Sequence, residues 1–436
     1  MSKEPKRFKQ TEIGELPEEW EVVRLGELAI INPAYPLQRG KEYAFIPMEA
    51  LDENFPKVKF IQKRTWKGGG SRFKYGDVLL ARITPSAENG KTAVIDFLGP
   101  HEFGFGSTEF IVFSPKTEIT TSLYIYYLLK WSNIRNRLIS QMTGTTGRQR
   151  IPNDAPYYVF VLLPPLEEQR RIAGVLRLVD RVAEKTKRII NIYERAKKFA
   201  LKHLLTRGIG HTRFKQTEIG ELPEEWKVVR LGDVARVFAG SSAPQKREYF
   251  ENGISPFVRV QDLAHYGQTR RLREVADKVN ERAVQEHHMV LARKGTIVFP
   301  KSGAALEKNH RAILGVDAYI VSHLAAVEAN PEKVSNEFLF WWLCRVDMAS
   351  LNPNPGYPSI RLEEIKALPI PLPPLEEQKQ IAEMLSTIDA AIENEKRYLG
   401  ILEKYKKWML DNLLTGRIRL SSVVDEILKG ELFDVF

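Results

Sequence analysis

The sequence predicts an α+β chain: two mixed α/β globular halves in tandem pseudo-twofold repeat, separated by two long antiparallel, coiled-coil-like helices. Three observations carry this. The fourteen residues from Arg7 to Trp20, RFKQTEIGELPEEW, recur identically from Arg213 to Trp226. The hexapeptide PPLEEQ stands at 164–169 and again at 373–378. Each copy runs into a proline-free stretch of about 40 residues with one apolar seam, the pattern of a long amphipathic helix. Repetition on this scale means that one scaffold is written twice, and the drifting offset between the echoes assigns insertions to surface loops.

The expected order is a globular domain over 1–165, a helix over 166–208, a second domain over 209–374, a second helix over 375–417 and a tail over 418–436. In the first half, Asp77–Leu80, Thr92–Ile95 and Phe110–Phe113 are short β-branched and aromatic runs between Gly- and Pro-bearing turns, as strands are. Gly76–Leu80 has an echo at Gly295–Phe299. The stretch 122–142 predicts a helix whose Tyr124, Tyr126, Tyr127 and Trp131 serve the core. The first long helix places Ile172, Leu176, Val179, Val182, Ile189, Tyr193 and Leu204 on its seam. The second places Ile381, Met384, Leu385, Ile388, Ile392, Leu399, Leu402, Tyr405 and Met409 on the same register. At 1.5 Å per residue each helix is about 60 Å long. Neither can bury such a seam within its own half, so the two are expected to pack on each other.

Composition excludes several classes. With 43% hydrophobic residues the chain can bury cores, and its single cysteine, Cys344, allows neither an internal disulfide nor a cysteine-based zinc site. The longest apolar run, Phe338–Cys344, is too short to span a bilayer, and a cytoplasmic location is expected. The eight histidines show no metal-ligand spacing, and no metal or cofactor is expected. The segment Pro85–Thr92, PSAENGKT, ends like a phosphate loop but begins with a proline, which has no N–H to offer a phosphate. Asn32-Pro33-Ala34-Tyr35 approaches the Asn-Pro-Pro-Tyr of amino-methyltransferases, with the wrong third residue. A turn entering a strand is the better reading, and no catalytic residue is assigned.

What remains is charge. There are 65 Lys and Arg against 55 Asp and Glu, for a formal +10, which favours an anionic partner such as nucleic acid. Between Lys57 and Lys74 seven basic residues and no acidic one interleave with Phe60, Trp66, Phe73 and Gly68-Gly69-Gly70. Lysine and arginine neutralise phosphate and read guanine edges, and glycine lets the backbone come close. Candidates for DNA contact are Lys63, Arg64, Lys67, Arg72, Lys74 and Arg82 in the first half, and Arg270, Arg271, Lys301 and Lys308 in the second.

The tandem layout, with a LPEEWxVVRLG stretch opening each half, a Gly-Asp-Val-Leu-Leu-like strand, PPLEEQ, and a long helix closing in Leu-Leu-Thr (204–206 and 413–415), resembles the DNA specificity subunit of type I restriction–modification systems. The resemblance covers about residues 7 to 417. It implies two target-recognition domains, each reading one half of an asymmetric bipartite site in double-stranded DNA, held apart by the helix pair. It further implies a non-catalytic chain assembled with two methyltransferase subunits and, for restriction, with translocase subunits. Leu166, Glu167 and Gln169, with Leu375, Glu376 and Gln378, are the expected subunit contacts. Thr296 and Pro300 stand where the first half has Asp77 and Ala81, and the acidic tail has no counterpart in the pattern. The competing classes are a self-contained adenine-N6 methyltransferase built on Asn32–Tyr35 and a structural spacer that binds no DNA.

Overall fold

The computed structural model describes residues 8–11, 14–265, 271–352, 358–420, 424, 425 and 428. The chain divides into two compact units, residues 1–188 with 398–436, and residues 189–397. Among the described residues no helix is long and apolar enough to cross a membrane.

The first unit is built on two four-stranded sheets. One runs in the order Gln62–Thr65, Glu42–Ile46, Phe103–Gly106, Ser71–Lys74, with Phe103–Gly106 parallel to Glu42–Ile46 and the other pairs antiparallel. The other runs Ala29–Ile31, Phe110–Pro115, Val78–Ala81, Thr92–Val94, antiparallel throughout. Its central strands are apolar without alternation because both faces are covered. Leu79, Phe110 and Val112 point into the core shared with Ile46 and Phe73 of the first sheet, while Val78, Leu80, Ile111 and Phe113 point into the core filled by the helix Ser122–Lys130. Tyr124, Tyr126 and Tyr127 are fully buried there, as a core role requires.

The second unit repeats the plan with different loops. A five-stranded sheet runs Ala235–Ala239, Leu324–Ala329, Ile297–Pro300, Ala312–Leu314, Arg271–Leu272, and a four-stranded one runs Asp277–Val279, Ser255–Val258, Ala318–Ile320, Leu291–Ala292. Ile297 and Phe299 face the core holding the helix Asn336–Arg345, and Val298 faces the core between the sheets. The echo of Gly76–Leu80 at Gly295–Phe299 is therefore one strand used twice.

The long helices are Leu166–Arg207 and Leu375–Leu413. Each is shared between the units, and within each unit they run antiparallel. In the first unit Asp180 is paired with Lys406 and Lys187 with Glu403, so numbers rise along one helix as they fall along the other. In the second unit Lys197 pairs with Asp389 and Glu194 with Lys396. Ile172, Leu176, Ile381, Leu385 and Ile392 of the expected seam are buried. Ile189, Met384 and Tyr405 are not: they are 38%, 48% and 57% exposed, which corrects the reading of a single inter-helix seam. Ion pairs fill part of the helix contact instead.

The motifs of each repeat meet in space. Trp20 Nε1 donates to Glu168 Oε2 at 3.0 Å, and Trp226 Nε1 donates to Glu377 Oε2 at 3.0 Å. LPEEW and PPLEEQ are thus two halves of one contact, which is why they recur together. Most of the tail lies outside the described residues, but Asp425 binds Arg171 and Leu428 is buried against Gly174. A Cβ on Gly174 would come within 2.6 Å of Leu428 Cδ1, which accounts for the one glycine in the first long helix.

Candidate nucleic-acid interface

In the first unit the candidate cations stand on one sheet and the turn that leaves it. Gln62–Thr65 is the outer strand, where the Lys63 side chain is exposed and successive residues point to opposite faces. The Arg64 guanidinium lies 3.8 Å from the centroid of the Phe45 ring. Lys67 is exposed at the start of a turn in which Gly68, Gly69 and Gly70 all have positive φ, a conformation that other residues rarely adopt. Trp66 pins this turn by donating from Nε1 to the Gly69 carbonyl at 2.8 Å, so it is buried scaffold, as Phe73 is. Arg72 donates from Nη1 to the Tyr35 carbonyl at 2.7 Å and lies 4.9 Å from the Trp66 ring centroid. Lys74 Nζ is 5.5 Å from the Tyr35 ring centroid. Arg64, Arg72 and Lys74 are positioned by aromatic faces and a carbonyl, and none of the three makes an ion pair with a carboxylate among the described residues. Lys57 and Lys59, by contrast, pair with Asp96 and Asp52, acids outside the segment. Arg82 stands apart on the next sheet, donating from Nη1 to Asn153 Oδ1 at 2.7 Å.

Beneath Tyr35 lies a buried carboxyl that charge counting missed. Asp77 accepts from Tyr35 Oη at 3.2 Å and from the Lys74 backbone N–H at 2.9 Å, and burial pushes its pKa up to about 6. Tyr35 Oη in turn accepts from Ser114 Oγ at 2.9 Å, and burial raises the Tyr35 pKa too. Asn32 is occupied in the same way: at φ +52 its N–H donates to the Val112 carbonyl and its Oδ1 accepts the Val112 N–H, both at 2.8 Å. Asn32 and Tyr35 therefore extend and brace a sheet. Gly90, in the segment that resembled a phosphate loop, turns its carbonyl toward Lys130 Nζ at 2.7 Å, a cation site in place of an anion cradle.

The second unit gives a different arrangement. Arg271 is paired with Glu337 of the helix Asn336–Arg345, so its charge is already met. Lys301 is half-buried, and its backbone N–H donates to the His323 carbonyl. Lys308 is exposed in the turn before Asn309, which has a positive φ. Arg270 lies outside the described residues. Among the described residues no group of three or more His, Cys, Asp or Glu could hold a metal ion.

The expected subunit contacts separate into two kinds. Gln169 and Gln378 are fully buried: Gln169 Nε2 donates to the Ile119 and Pro164 carbonyls, and Gln378 Nε2 to the Lys333 and Pro373 carbonyls. They lock the start of each long helix to its domain and offer nothing to a partner. Glu167 and Glu376 are exposed, and Leu166 and Leu375 are half-buried beside them. A surface that the seam reading missed lies along the same helices. Tyr398, Ile401, Tyr405 and Trp408 are 46–57% exposed at spacings of three, four and three residues, one helical stripe. Ile189, Ile192 and Phe199 stand 209 residues before Tyr398, Ile401 and Trp408, with Ala196 at the place of Tyr405.

Comparison with known proteins gives the arrangement its context. The family described as type I restriction modification DNA specificity domain matches at residues 17–194 and again at 223–403. The MjaVIII specificity subunit of a type I restriction enzyme from Methanocaldococcus jannaschii is 28% identical over 435 residues, covering 95% of this chain and 97% of that protein. The MjaIX specificity subunit from the same organism is 26% identical over 438 residues with the same coverage. The crystal structure of a type I restriction–modification S subunit from M. genitalium shares the fold, with a TM-score of 0.59 at 15% identity over 91% of this chain and 96% of that one. With both halves of its repeat matched, the chain belongs to the type I restriction–modification DNA specificity family.

Proposed function

We propose that this chain is the DNA-reading subunit of a type I restriction–modification assembly, in which domains 1–165 and 209–374 each contact one half of an asymmetric two-part duplex site. The long helices serve as the spacer, and the chain brings methyltransferase and restriction subunits to the site without making or breaking a bond itself. The observation that carries this reading is a shared scaffold with unlike basic faces. Lys63, Arg64, Lys67, Arg72 and Lys74 cluster on one sheet and its turn in the first unit, whereas Lys301 and Lys308 sit on loops of the second. Identical readers would take a palindrome; unlike readers on one scaffold suit two different half-sites.

The exposed stripes on the long helices support the partner half of the reading. Four large apolar side chains at coiled-coil spacing form an apolar strip of the kind that marks an interaction site, and its recurrence after 209 residues suits two copies of one partner. A self-contained methyltransferase is disfavoured by Asn32, whose Oδ1, the atom that would accept from a target amine, already accepts from the Val112 N–H. The test is selection of binding sites from random duplex by the assembled complex, with methyl transfer measured on the pure chain in parallel. An interrupted, asymmetric motif and no transfer by the chain alone are expected. A palindromic motif, or transfer by the chain that Asn32→Ala abolishes, would overturn the proposal.

A further inference from the structure

Each unit holds a cavity that the DNA reading does not use, at the same point of the repeat. In the first unit it measures about 460 Å³ and lies between the end of the helix Ser122–Lys130, the start of the helix Ser132–Ile139 and the second long helix. Four cations line it, Lys130, Arg135, Lys406 and Lys407, against the carboxylates of Glu53 and Glu403, a formal surplus of two. In the second unit a cavity of about 430 Å³ lies between Arg345 and the two long helices. There Lys197, Lys198, Lys202, Arg345 and Lys396 outnumber Glu194, Asp389 and Glu393 by five to three, again a surplus of two. The helix residues correspond one for one: Glu194, Lys197, Lys198 and Leu201 recur 209 residues later as Glu403, Lys406, Lys407 and Leu410, each set lining its own cavity.

Most of the carboxylates are already committed. Glu194 is paired with Lys396, Asp389 with Lys197, and Glu403 with Lys187, while Glu53 accepts from Asn89. The arginines are the opposite. Arg135 and Arg345 both have their pKa pulled down by burial, and neither has a carboxylate partner among the described residues. Arg135 Nε is buried with no acceptor among the described residues. Withdrawing a guanidinium from water without a counter-charge is costly, and an anion entering from solvent would offset that cost. Ser132, the first residue of its helix, lines the first cavity, so the positive end of that helix adds to the field.

We propose that each unit binds a phosphate-class dianion in this cavity, held by Arg135 and Lys407 in the first unit and by Arg345 and Lys202 in the second. Lys130 gives the first pocket a signature the second lacks. It is bonded to the Glu53 and Gly90 carbonyls, and burial next to Lys406 and Arg135, only partly countered by Asp180 and Asp52, brings its pKa down to about 7. Its charge is present below that pH, so relative to the second pocket the first gains affinity as pH falls through 7.

The experiment is calorimetric titration of the full chain with pyrophosphate in chloride buffer. Two sites per chain are expected. Arg135→Gln with Lys407→Gln should leave one, Arg345→Gln with Lys202→Gln should leave the other, and all four changes should leave none. Arg39→Gln with Lys41→Gln, a charge-matched change of exposed residues that line neither cavity, should keep both. Should Arg135→Gln fail to fold, Lys407→Gln alone, on the helix surface, must weaken one site roughly tenfold. A short duplex separates the sources of the phosphate: pyrophosphate displaced by duplex means that the DNA backbone is the occupant, and simultaneous binding means a free phosphate species. No heat with the folded wild-type chain, or two sites retained in the fourfold variant, overturns the proposal.

Discussion

The Asp180–Lys406 pair of the first unit and the Asp389–Lys197 pair of the second occupy the same place in the repeat, yet they are built differently. In the first, the side chains are 3% and 16% exposed, and Tyr127 Oη donates to Asp180 at 2.9 Å. In the second they are 15% and 28% exposed, and Trp341, the counterpart of Tyr127, donates instead to Ser386. The phenol hydroxyl gives the first carboxylate a second partner, and this allows it to be buried; the indole, turned to a serine, leaves the second with more water. Both cations also lie over the aromatic ring, Lys406 at 5.9 Å from Tyr127 and Lys197 at 5.1 Å from Trp341. What the repeat preserves is the helix register, since each pair joins the two long helices at equivalent positions. How strongly the pair is shielded was free to diverge. Buried pairs are poor sources of net stability but costly to break singly, so the two units should differ most when one partner is removed.

The largest expected effect follows directly. Asp180→Ala leaves Lys406 without its counter-charge in a dry site and should cost about 3–5 kcal/mol in urea unfolding. Asp389→Ala, with more water at hand, should cost about 1–2 kcal/mol. Adding Lys406→Met to the first should recover much of the loss. Equal losses in the two units would mean that the difference in burial has no energetic content.

Next comes a pH effect confined to one unit. Asp77 has its pKa raised from 3.8 to about 6, so the fold disfavours its ionised form. Its contribution is fully present below about pH 4 and is lost as pH rises through 6, in total roughly 3 kcal/mol at 1.36 kcal/mol per unit. Thr296, at the same place in the second unit, does not titrate. The stability difference between the wild type and Asp77→Asn should therefore change between pH 4 and 7.5, whereas that between the wild type and Thr296→Val should stay flat. A flat Asp77→Asn profile would mean that the buried carboxyl titrates normally.

The smallest effects belong to the single cations proposed to touch DNA. Lys63→Gln and Lys67→Gln should each lower the salt dependence of duplex binding by about one unit of slope. Arg271→Gln, whose charge Glu337 already meets, should change it by less than half of that. A larger effect for Arg271 would show that Glu337 releases it when DNA arrives.

The readable parts of the sequence were those in which one residue type could serve one purpose. The strands at 76–80 and 295–299 are apolar on both faces, and only a doubly covered strand accommodates that pattern. The paired motifs were legible as a repeat, and the bonds from Trp20 to Glu168 and Trp226 to Glu377 supply the reason. Periodicity could not tell which apolar residues on a long helix are covered and which face outward: Ile392 and Tyr405 belong to one expected seam, yet they are 5% and 57% exposed. The pairing of Arg271 could not be read from the sequence because its partner, Glu337, lies 66 residues away on a helix. Lys130 and Arg135 drew no notice because a lone cation in an apolar stretch carries no motif; only the fold brings them beside Lys406 and Lys407.

The position of Gln62–Thr65 at the outer edge of its sheet has a consequence for handling the protein. An edge strand offers unpaired N–H and C=O groups to any other chain, and natural proteins guard such edges with lysine and other charges. Here Lys63 and Arg64 stand on that edge, directly after Phe60 and Ile61, which are 41% and 44% exposed. The same two cations therefore keep neighbouring molecules from adding a strand. Replacing them with valine or isoleucine would produce an apolar β-segment broken only by Gln62 and a protein that precipitates on concentration. Glutamine or glutamate at these positions keeps the edge guarded, and only a variant that remains monodisperse by light scattering separates a loss of DNA contact from a loss of colloidal stability.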